Sequence, residues 1–179
     1  MKLRDLVKPL HRPVIAGDAE MEIHSITYDS RKAAQGTCFV ALRGGKADGH
    51  DFIERAIASG ASAIVAETAP GEGQNLPWVH VSDTRIALAQ MAAQLHGRPG
   101  DELAIAAVTG TNGKTTIAFL VHHLANSALM RCGLIGTVVY DVGGHLLPAT
   151  HTTPESLEIH EHLAEMRKNG CRAVAMEVS

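Results

Sequence analysis

Near its middle the chain reads Gly110-Thr-Asn-Gly-Lys-Thr-Thr116, preceded by the apolar run Leu103-Ala-Ile-Ala-Ala-Val108 and followed by a segment of helical periodicity. A strand, a glycine turn and a helix in this order form the setting in which such a loop binds phosphate. Gly110 and Gly113 let the backbone turn tightly and bring its N–H groups close to an anion. The next helix adds free N–H groups and the positive end of its dipole. The stretch therefore predicts a nucleotide-phosphate site.

The side chains of this loop suit the outer phosphates of a nucleotide. Lys114 offers a point charge, and the Thr115 hydroxyl is suited to a Mg²⁺ ion held between phosphate oxygens. The spacing is shorter than the common G-x-x-x-x-G-K-[ST] pattern, because Val108 stands where that pattern has its first glycine. The prediction therefore depends on the strand and helix that flank the loop as much as on the glycines.

Composition excludes several classes of protein. Of 179 residues, 45% are hydrophobic and 20% are charged, which is enough to build a core and argues against disorder. A formal net charge of -3 without any Lys/Arg run argues against nucleic acid as a partner. No segment approaches the ~20 apolar residues of a membrane span, and the first residues do not resemble a secretory signal. Because Cys38, Cys132 and Cys171 are scattered and odd in number, we expect reduced thiols in a cytoplasmic protein.

A cluster of turn residues divides the chain into two regions. The stretch His96-Gly-Arg-Pro-Gly-Asp101 interrupts all periodicity and predicts a domain boundary, with domains at 1–97 and 101–179. Short apolar strands alternate with helical segments on both sides of the boundary, a pattern typical of the α/β class.

Four local features give sharper predictions. Phe52 is expected on the buried face of a helix in the first region. In the second region, the helix after the loop has an apolar stripe that includes Ile117, and Asp141-Val-Gly-Gly144 predicts a hairpin turn. Thr153 is expected to cap a further helix, with Pro154 at its first position.

The last strand, Cys171–Val178, places two polar residues where ligands bind. Open α/β sheets bind ligands at the carboxyl ends of their strands, where Glu177 and Ser179 lie. An unpaired buried carboxylate is unfavourable, so Glu177 is expected either to face a polar pocket or to bind a cation. Because the sheet breaks off at this point, we expect the chain to be part of a larger enzyme.

Four stretches together resemble the Mur ligase family, whose members build the stem peptide of peptidoglycan. The loop alone does not separate this family from folylpolyglutamate synthetase, but the combination favours the members that add the third stem-peptide residue. The stretches are Gly110–Thr116, Asp29-Ser-Arg31 with Gly44-Gly-Lys-Ala-Asp-Gly-His50, His151-Thr-Thr-Pro-Glu-Ser156, and Met176-Glu-Val-Ser179.

The resemblance covers the whole chain and implies both a fold and a set of site residues. The fold would be a small N-terminal α/β domain that binds the uridine nucleotide, followed by the first, truncated part of a P-loop-type α/β ATP-binding domain. Lys114 would be catalytic, and Thr115 and Glu177 would hold Mg²⁺. The ATP-binding residues would be Gly110, Thr111, Asn112, Gly113, Lys114, Thr115 and Thr116. The substrate-binding residues would be Tyr28 (through its backbone), Ser30, Gly45, Lys46, Ala47, His151, Thr152, Thr153 and Ser179.

The implied activity is the ATP-dependent addition of diaminopimelate or lysine to UDP-MurNAc-L-Ala-D-Glu through an acyl phosphate. A C-terminal domain absent from this chain would bind the incoming amino acid, so the chain alone is expected to be inactive. Three other functions stay open: a nucleotide-sugar-binding module without catalysis, another ligase of the Mur and folylpolyglutamate synthetase superfamily, and a P-loop phosphotransferase. Two site residues also have simpler interpretations, Ser30 as a turn residue and Lys46 as a solvated charge.

Overall fold

The computed structural model describes residues 1–45, 47–149 and 151–179, so the contact predicted for Lys46 lies outside the described residues. The chain divides into two compact units, Met1–Leu95 and His96–Ser179. Each unit combines one sheet with helices, which confirms the predicted α/β class. Within the described part of the chain, no helix is long and apolar enough to cross a membrane.

The first unit contains a five-stranded sheet among its described residues, in the order β1-β5-β4-β3-β2. The inner strands are parallel, and β1 pairs antiparallel with β5. Its elements are α1 (Leu3–Leu6), β1 (Val14–Ala16), β2 (Ser25–Thr27), β3 (Thr37–Val40), α2 (Ile53–Ala58), β4 (Ala63–Ala66), β5 (Trp78–His80) and α3 (Thr84–Leu95).

Apolar strands and helix faces form the core of this unit. Phe39 of β3 and Ile64 of β4 are fully buried and pack with Trp78, whose indole N–H donates to the Thr68 carbonyl at 2.8 Å. The prediction for Phe52 is wrong, because this residue lies in the 3₁₀ turn before α2 and is 39% exposed. The 3₁₀ turn changes the helical phase and turns Phe52 away from the face that buries Ile53 and Ala56.

The second unit also contains a five-stranded sheet among its described residues, in the order β6-β10-β7-β8-β9. The first three of these strands are parallel, whereas β8 and β9 form the predicted antiparallel hairpin. Its elements are β6 (Ala104–Val108), α4 (Lys114–Ser127), β7 (Cys132–Ile135), β8 (Val139–Asp141), β9 (Leu146–Pro148), α5 (Ser156–Lys168) and β10 (Ala173–Glu177).

Both faces of this second sheet are packed, because alternate side chains of a strand point in opposite directions. On β10, Val174 joins the cluster that contains Leu163 and Met166 of α5, while Ala175 joins the cluster that contains Ala118 of α4. The apolar stripe predicted on α4 is only partly buried. Ile117 is 48% exposed, whereas the residue after it, Ala118, is fully buried. The sheet therefore holds α4 and α5 in fixed positions relative to its strand ends.

The start of α5 differs from the sequence prediction, and the cysteines lie in the interior. Thr153 does not cap α5, because the helix begins at Ser156 with Glu155 at the cap position. All three cysteines are free and buried. Burial raises the pKa of the Cys38 thiol to about 12, which makes it unreactive at neutral pH.

Candidate functional site

The glycine loop links the carboxyl end of β6 to the first turn of α4. Gly110 and Gly113 have φ angles of +146° and +78°, conformations that residues with a Cβ rarely adopt. Gly113 occupies the cap position of α4, so the first N–H groups of the helix have no partner within it. The Lys114 ammonium folds back and donates to the Gly110 carbonyl at 2.7 Å. Backbone donors and one cation are thus gathered at a single turn, which suits an anionic ligand.

The Glu177 carboxylate lies beside this loop, at the end of the neighbouring strand. The residue is only 1% exposed, and three hydrogen bonds reach its two oxygens. Oε2 accepts from the hydroxyls of Thr115 and Thr137, each at 3.0 Å, and Oε1 accepts from the Thr137 backbone N–H at 3.1 Å. The three residues come from β10, the loop and the segment after β7, because parallel strands bring their carboxyl ends to one edge.

The charge of Glu177 is not compensated by a cationic side chain among the described residues. Its three hydrogen bonds come from neutral donors, although a buried carboxylate normally has a counter-charge. Thr115 uses its hydroxyl proton toward Glu177, which leaves its oxygen lone pairs for another partner. A hydroxyl and a carboxylate oxygen are hard ligands of the type that Mg²⁺ prefers. The donor set therefore fits the predicted Mg²⁺.

The substrate-binding residues predicted in the second unit lie partly at the same strand ends. Thr153 donates to the Glu177 carbonyl at 3.2 Å and accepts from the Ser179 backbone N–H at 3.1 Å. The His151 backbone is held by the Tyr140 hydroxyl, which donates to its carbonyl at 2.7 Å and accepts from its N–H at 3.1 Å. Thr153 and Ser179 thus adjoin Glu177, and the backbone of His151 is fixed by Tyr140 of the hairpin.

The first unit has its own cavity, of about 430 Å³, at the carboxyl end of β2. Two residues predicted to contact the uridine nucleotide, Tyr28 and Ser30, line it. Asp29 accepts from the Arg31 guanidinium at 2.9 and 2.7 Å, and this bidentate bond lowers the pKa of the Asp29 carboxyl to about 2. Phe52 and Arg55 also line this cavity, so it offers both an aromatic ring and a positive charge.

The glycine-rich segment of the first unit, described at residues 44, 45 and 47–50, has a structural role of its own. Gly49 leaves no room for a side chain, since a Cβ would lie 2.5 Å from the Leu42 carbonyl oxygen. His50 accepts from the Glu67 backbone N–H at 3.0 Å through Nε2 and donates to Asp48 at 2.6 Å through Nδ1. Gly45 and Ala47 belong to this segment and are not among the residues described around the cavity.

Sequence reasoning missed three residues of these sites. Thr137 had no motif of its own, although it follows a buried strand at the position where site residues are expected. Phe52 and Arg55 had no local signal either, because Phe52 lies in the 3₁₀ turn before α2 and meets Arg55 at the cavity only in the folded unit.

Two family models match the chain. Residues 22–96 match the Mur ligase family catalytic domain, and residues 108–179 match the Mur ligase middle domain. Curated relatives include the UDP-N-acetylmuramoyl-L-alanyl-D-glutamate--2,6-diaminopimelate ligases of Geobacter sulfurreducens and Clostridium perfringens, which are 40% and 41% identical over all 179 residues. The chain spans only 35% and 37% of the length of these two relatives.

Solved structures give the same result at the level of the fold. A UDP-N-acetylmuramoyl-L-alanyl-D-glutamate--2,6-diaminopimelate ligase superposes on the whole chain with a TM-score of 0.77 at 28% identity, and 36% of that structure is covered. MurF from Acinetobacter baumannii superposes on 98% of the chain with a TM-score of 0.63, with 34% of that structure covered. Its 24% identity shows the likeness of the fold alone.

Proposed function

Because this chain belongs to the Mur ligase family, with the N-terminal and middle domains of that family, we propose that it supplies two substrate sites of an ATP-dependent amide-forming ligase. The substrates are ATP and UDP-MurNAc-L-Ala-D-Glu, and the product carries a third stem-peptide residue. The observation on which the proposal rests is the buried, uncompensated Glu177 carboxylate, bonded to Thr115 of the phosphate loop. The relatives at about 40% identity, which are ligases of this type, point to the same reaction.

The proposed reaction has two steps. A carboxylate oxygen of the uridine-nucleotide substrate attacks the γ-phosphorus of ATP, the bond to the β–γ bridging oxygen breaks, and ADP leaves. The amine of the incoming amino acid then attacks the acyl carbon, the carbon–oxygen bond to phosphate breaks, and the amine loses a proton. Activation is needed because oxide is a poor leaving group, whereas phosphate is a good one.

The residues of the loop would act through charge and position. The Lys114 ammonium, held over the loop by its bond to Gly110, would face the developing charge of the transferred phosphoryl group. The N–H groups at the start of α4 would bind phosphate oxygens. Thr115 and Glu177 would hold Mg²⁺, which supplies Lewis-acid neutralisation of phosphate charge when bound. No covalent nucleophile from the protein is required.

The first unit would bind the uridine end of the substrate. The cavity beside Tyr28 and Ser30 offers the Phe52 ring for a base and the Arg55 guanidinium for a diphosphate. Thr153 and Ser179 in the second unit would contact the muramoyl part. Nucleotide and uridine sites are therefore built from different units, and they should be separable by mutation.

The test uses the product of the complete reading frame with ATP, UDP-MurNAc-L-Ala-D-Glu and either diaminopimelate or lysine. Phosphate release that requires all three substrates supports the proposal, and no release with any amino acid tried contradicts it. Binding of UDP by calorimetry without phosphate release would instead favour the non-catalytic module.

Lys114→Ala provides the internal check of this assignment. We expect turnover to fall by about a thousandfold, because charge stabilisation of the transferred phosphoryl group is lost. The UDP dissociation constant measured by calorimetry should stay within about twofold, since Lys114 and the uridine cavity belong to different units. Simultaneous loss of both would show that the two sites are not separate.

A further inference from the structure

The segment after β7 contacts the Glu177 carboxylate more extensively than the phosphate loop does. Thr137 reaches both oxygens, with its backbone N–H on Oε1 at 3.1 Å and its hydroxyl on Oε2 at 3.0 Å. Thr115 reaches only Oε2. A carboxylate held at both oxygens by one residue has a fixed plane, because rotation about its terminal bond would break one bond or the other.

Gly136 provides the space for this arrangement. A Cβ at position 136 would lie 2.6 Å from Glu177 Oε1 and 3.4 Å from its Cδ. A side chain there would collide with the Oε1 atom that accepts from the Thr137 N–H, so the carboxylate could not keep its present position. Gly136 and Thr137 thus form a surface shaped around Glu177, although Thr137 lies 40 residues away from Glu177 in the sequence.

The hydrogen bonds also fix the direction in which Thr115 offers its oxygen. Oε2 accepts from both threonine hydroxyls, so the two protons point at the carboxylate and the Thr115 lone pairs point elsewhere. If the carboxylate turned, Thr115 would be free to rotate about χ1, and its oxygen would lose its orientation. Thr137 therefore orients Thr115 indirectly, through the shared acceptor.

We propose that Thr137 is a positioning residue of the cation site, which holds Glu177 and through it Thr115 in the orientation that binds Mg²⁺. The proposal rests on the proposed function, because it assumes that Thr115 and Glu177 bind Mg²⁺ with a nucleotide. Thr137 needs no contact with the ion itself. Partners of this kind, which bond to a metal ligand from outside, typically change metal affinity by about 10- to 100-fold.

The experiment measures ADP binding by calorimetry in Mg²⁺ and in EDTA. The ratio of the two dissociation constants gives the gain in affinity due to Mg²⁺, a quantity that does not require turnover. Thr137→Val removes the hydroxyl and keeps the N–H and the shape, so we expect this gain to fall by about tenfold. The dissociation constant in EDTA should change by less than about twofold, because no loop residue is altered. Thr137→Ser restores a hydroxyl and should recover the gain.

A matched control lies in the first unit. Thr84 donates its backbone N–H and its hydroxyl to Glu67, at 3.1 Å each, in a pair with no part in the proposed cation site. Thr84→Val should therefore leave the gain unchanged. If the unaltered protein shows no gain from Mg²⁺, the proposed cation site itself fails. If the gain is present and Thr137→Val leaves it intact, or if Val and Ser reduce it equally, the role of Thr137 is wrong.

Discussion

Each unit holds one glutamate carboxylate with the N–H and the hydroxyl of a threonine, and the two carboxylates differ in how their charge is compensated. In the first unit, Arg43 forms an ion pair with Glu67 at 3.1 Å, and the Glu67 side chain is 19% exposed. In the second, Glu177 is 1% exposed, and no ion pair reaches it among the described residues. The hydrogen bonds are alike in kind, so it is the missing counter-charge that distinguishes a candidate ligand from a structural carboxylate.

The largest effect on this comparison is expected when the carboxylate of each glutamate is replaced by the uncharged amide of glutamine, which has nearly the same shape. Glu177→Gln should reduce the Mg²⁺-dependent gain in ADP affinity by at least about a hundredfold, because it removes the anionic ligand. Glu67→Gln should leave that gain unchanged and lower the free energy of unfolding by about 1 kcal/mol or less, because its partner Arg43 is 59% exposed. Calorimetry and urea unfolding measure the two quantities. Equal loss of the gain in both variants would invalidate the distinction.

A smaller effect is expected for the arginines of the first unit, which differ in whether a carboxylate pairs with them. Arg31 and Arg43 are paired with carboxylates, whereas Arg55 lines the cavity with no ion pair among the described residues. Arg55→Ala should weaken UDP binding by about fivefold, since a charge contact near the surface contributes about 1 kcal/mol. Arg172→Ala, which removes an exposed arginine of the second unit, is the control for the change in net charge. An unchanged UDP dissociation constant would remove Arg55 from the site.

The smallest effect concerns the response of the first unit to acid. The bond to Arg31 lowers the pKa of Asp29 below its ordinary value of 3.8, so the ionised form stabilises the fold above that value. This contribution is lost as the pH falls from about 4 toward about 2, and it is about 1 kcal/mol or less because Arg31 is 71% exposed. Asp29→Asn should lower the unfolding free energy at neutral pH and match the unaltered chain near pH 2. Asp51→Asn, a change at an exposed aspartate, should show no such convergence of the two unfolding free energies.

The sequence was a good guide to the parts of the fold that depend on local patterns. The glycine loop before α4 and the hairpin at Asp141–Gly144 were predicted because glycines and apolar periodicity act over a few residues. The start of α5 was wrong, because the Thr153 hydroxyl bonds to the backbone of β10 instead of capping a helix. A contact of that kind depends on the assembled sheet and leaves no local pattern.

The same limit applies to the site residues. Glu177 was recognisable because a carboxylate in an apolar strand is unusual wherever it occurs. Thr137 was not, because a threonine after a strand is ordinary until its partner is known, and that partner is 40 residues away. The phase of α2 was misjudged for a related reason, since the 3₁₀ turn at Gly49–Phe52 is set by the Asp48 cap and by contacts with Leu42.

The sequence separations around Glu177 have a consequence for how the second unit folds. Its carboxylate meets Thr115 across 62 residues and Thr137 across 40, so the trio exists only after two long loops have closed. A nascent or partly folded polypeptide would have no such trio. A nucleotide that binds at these three residues would stabilise the fully formed sheet relative to every partly folded state. Binding would therefore oppose unfolding of the second unit by mass action.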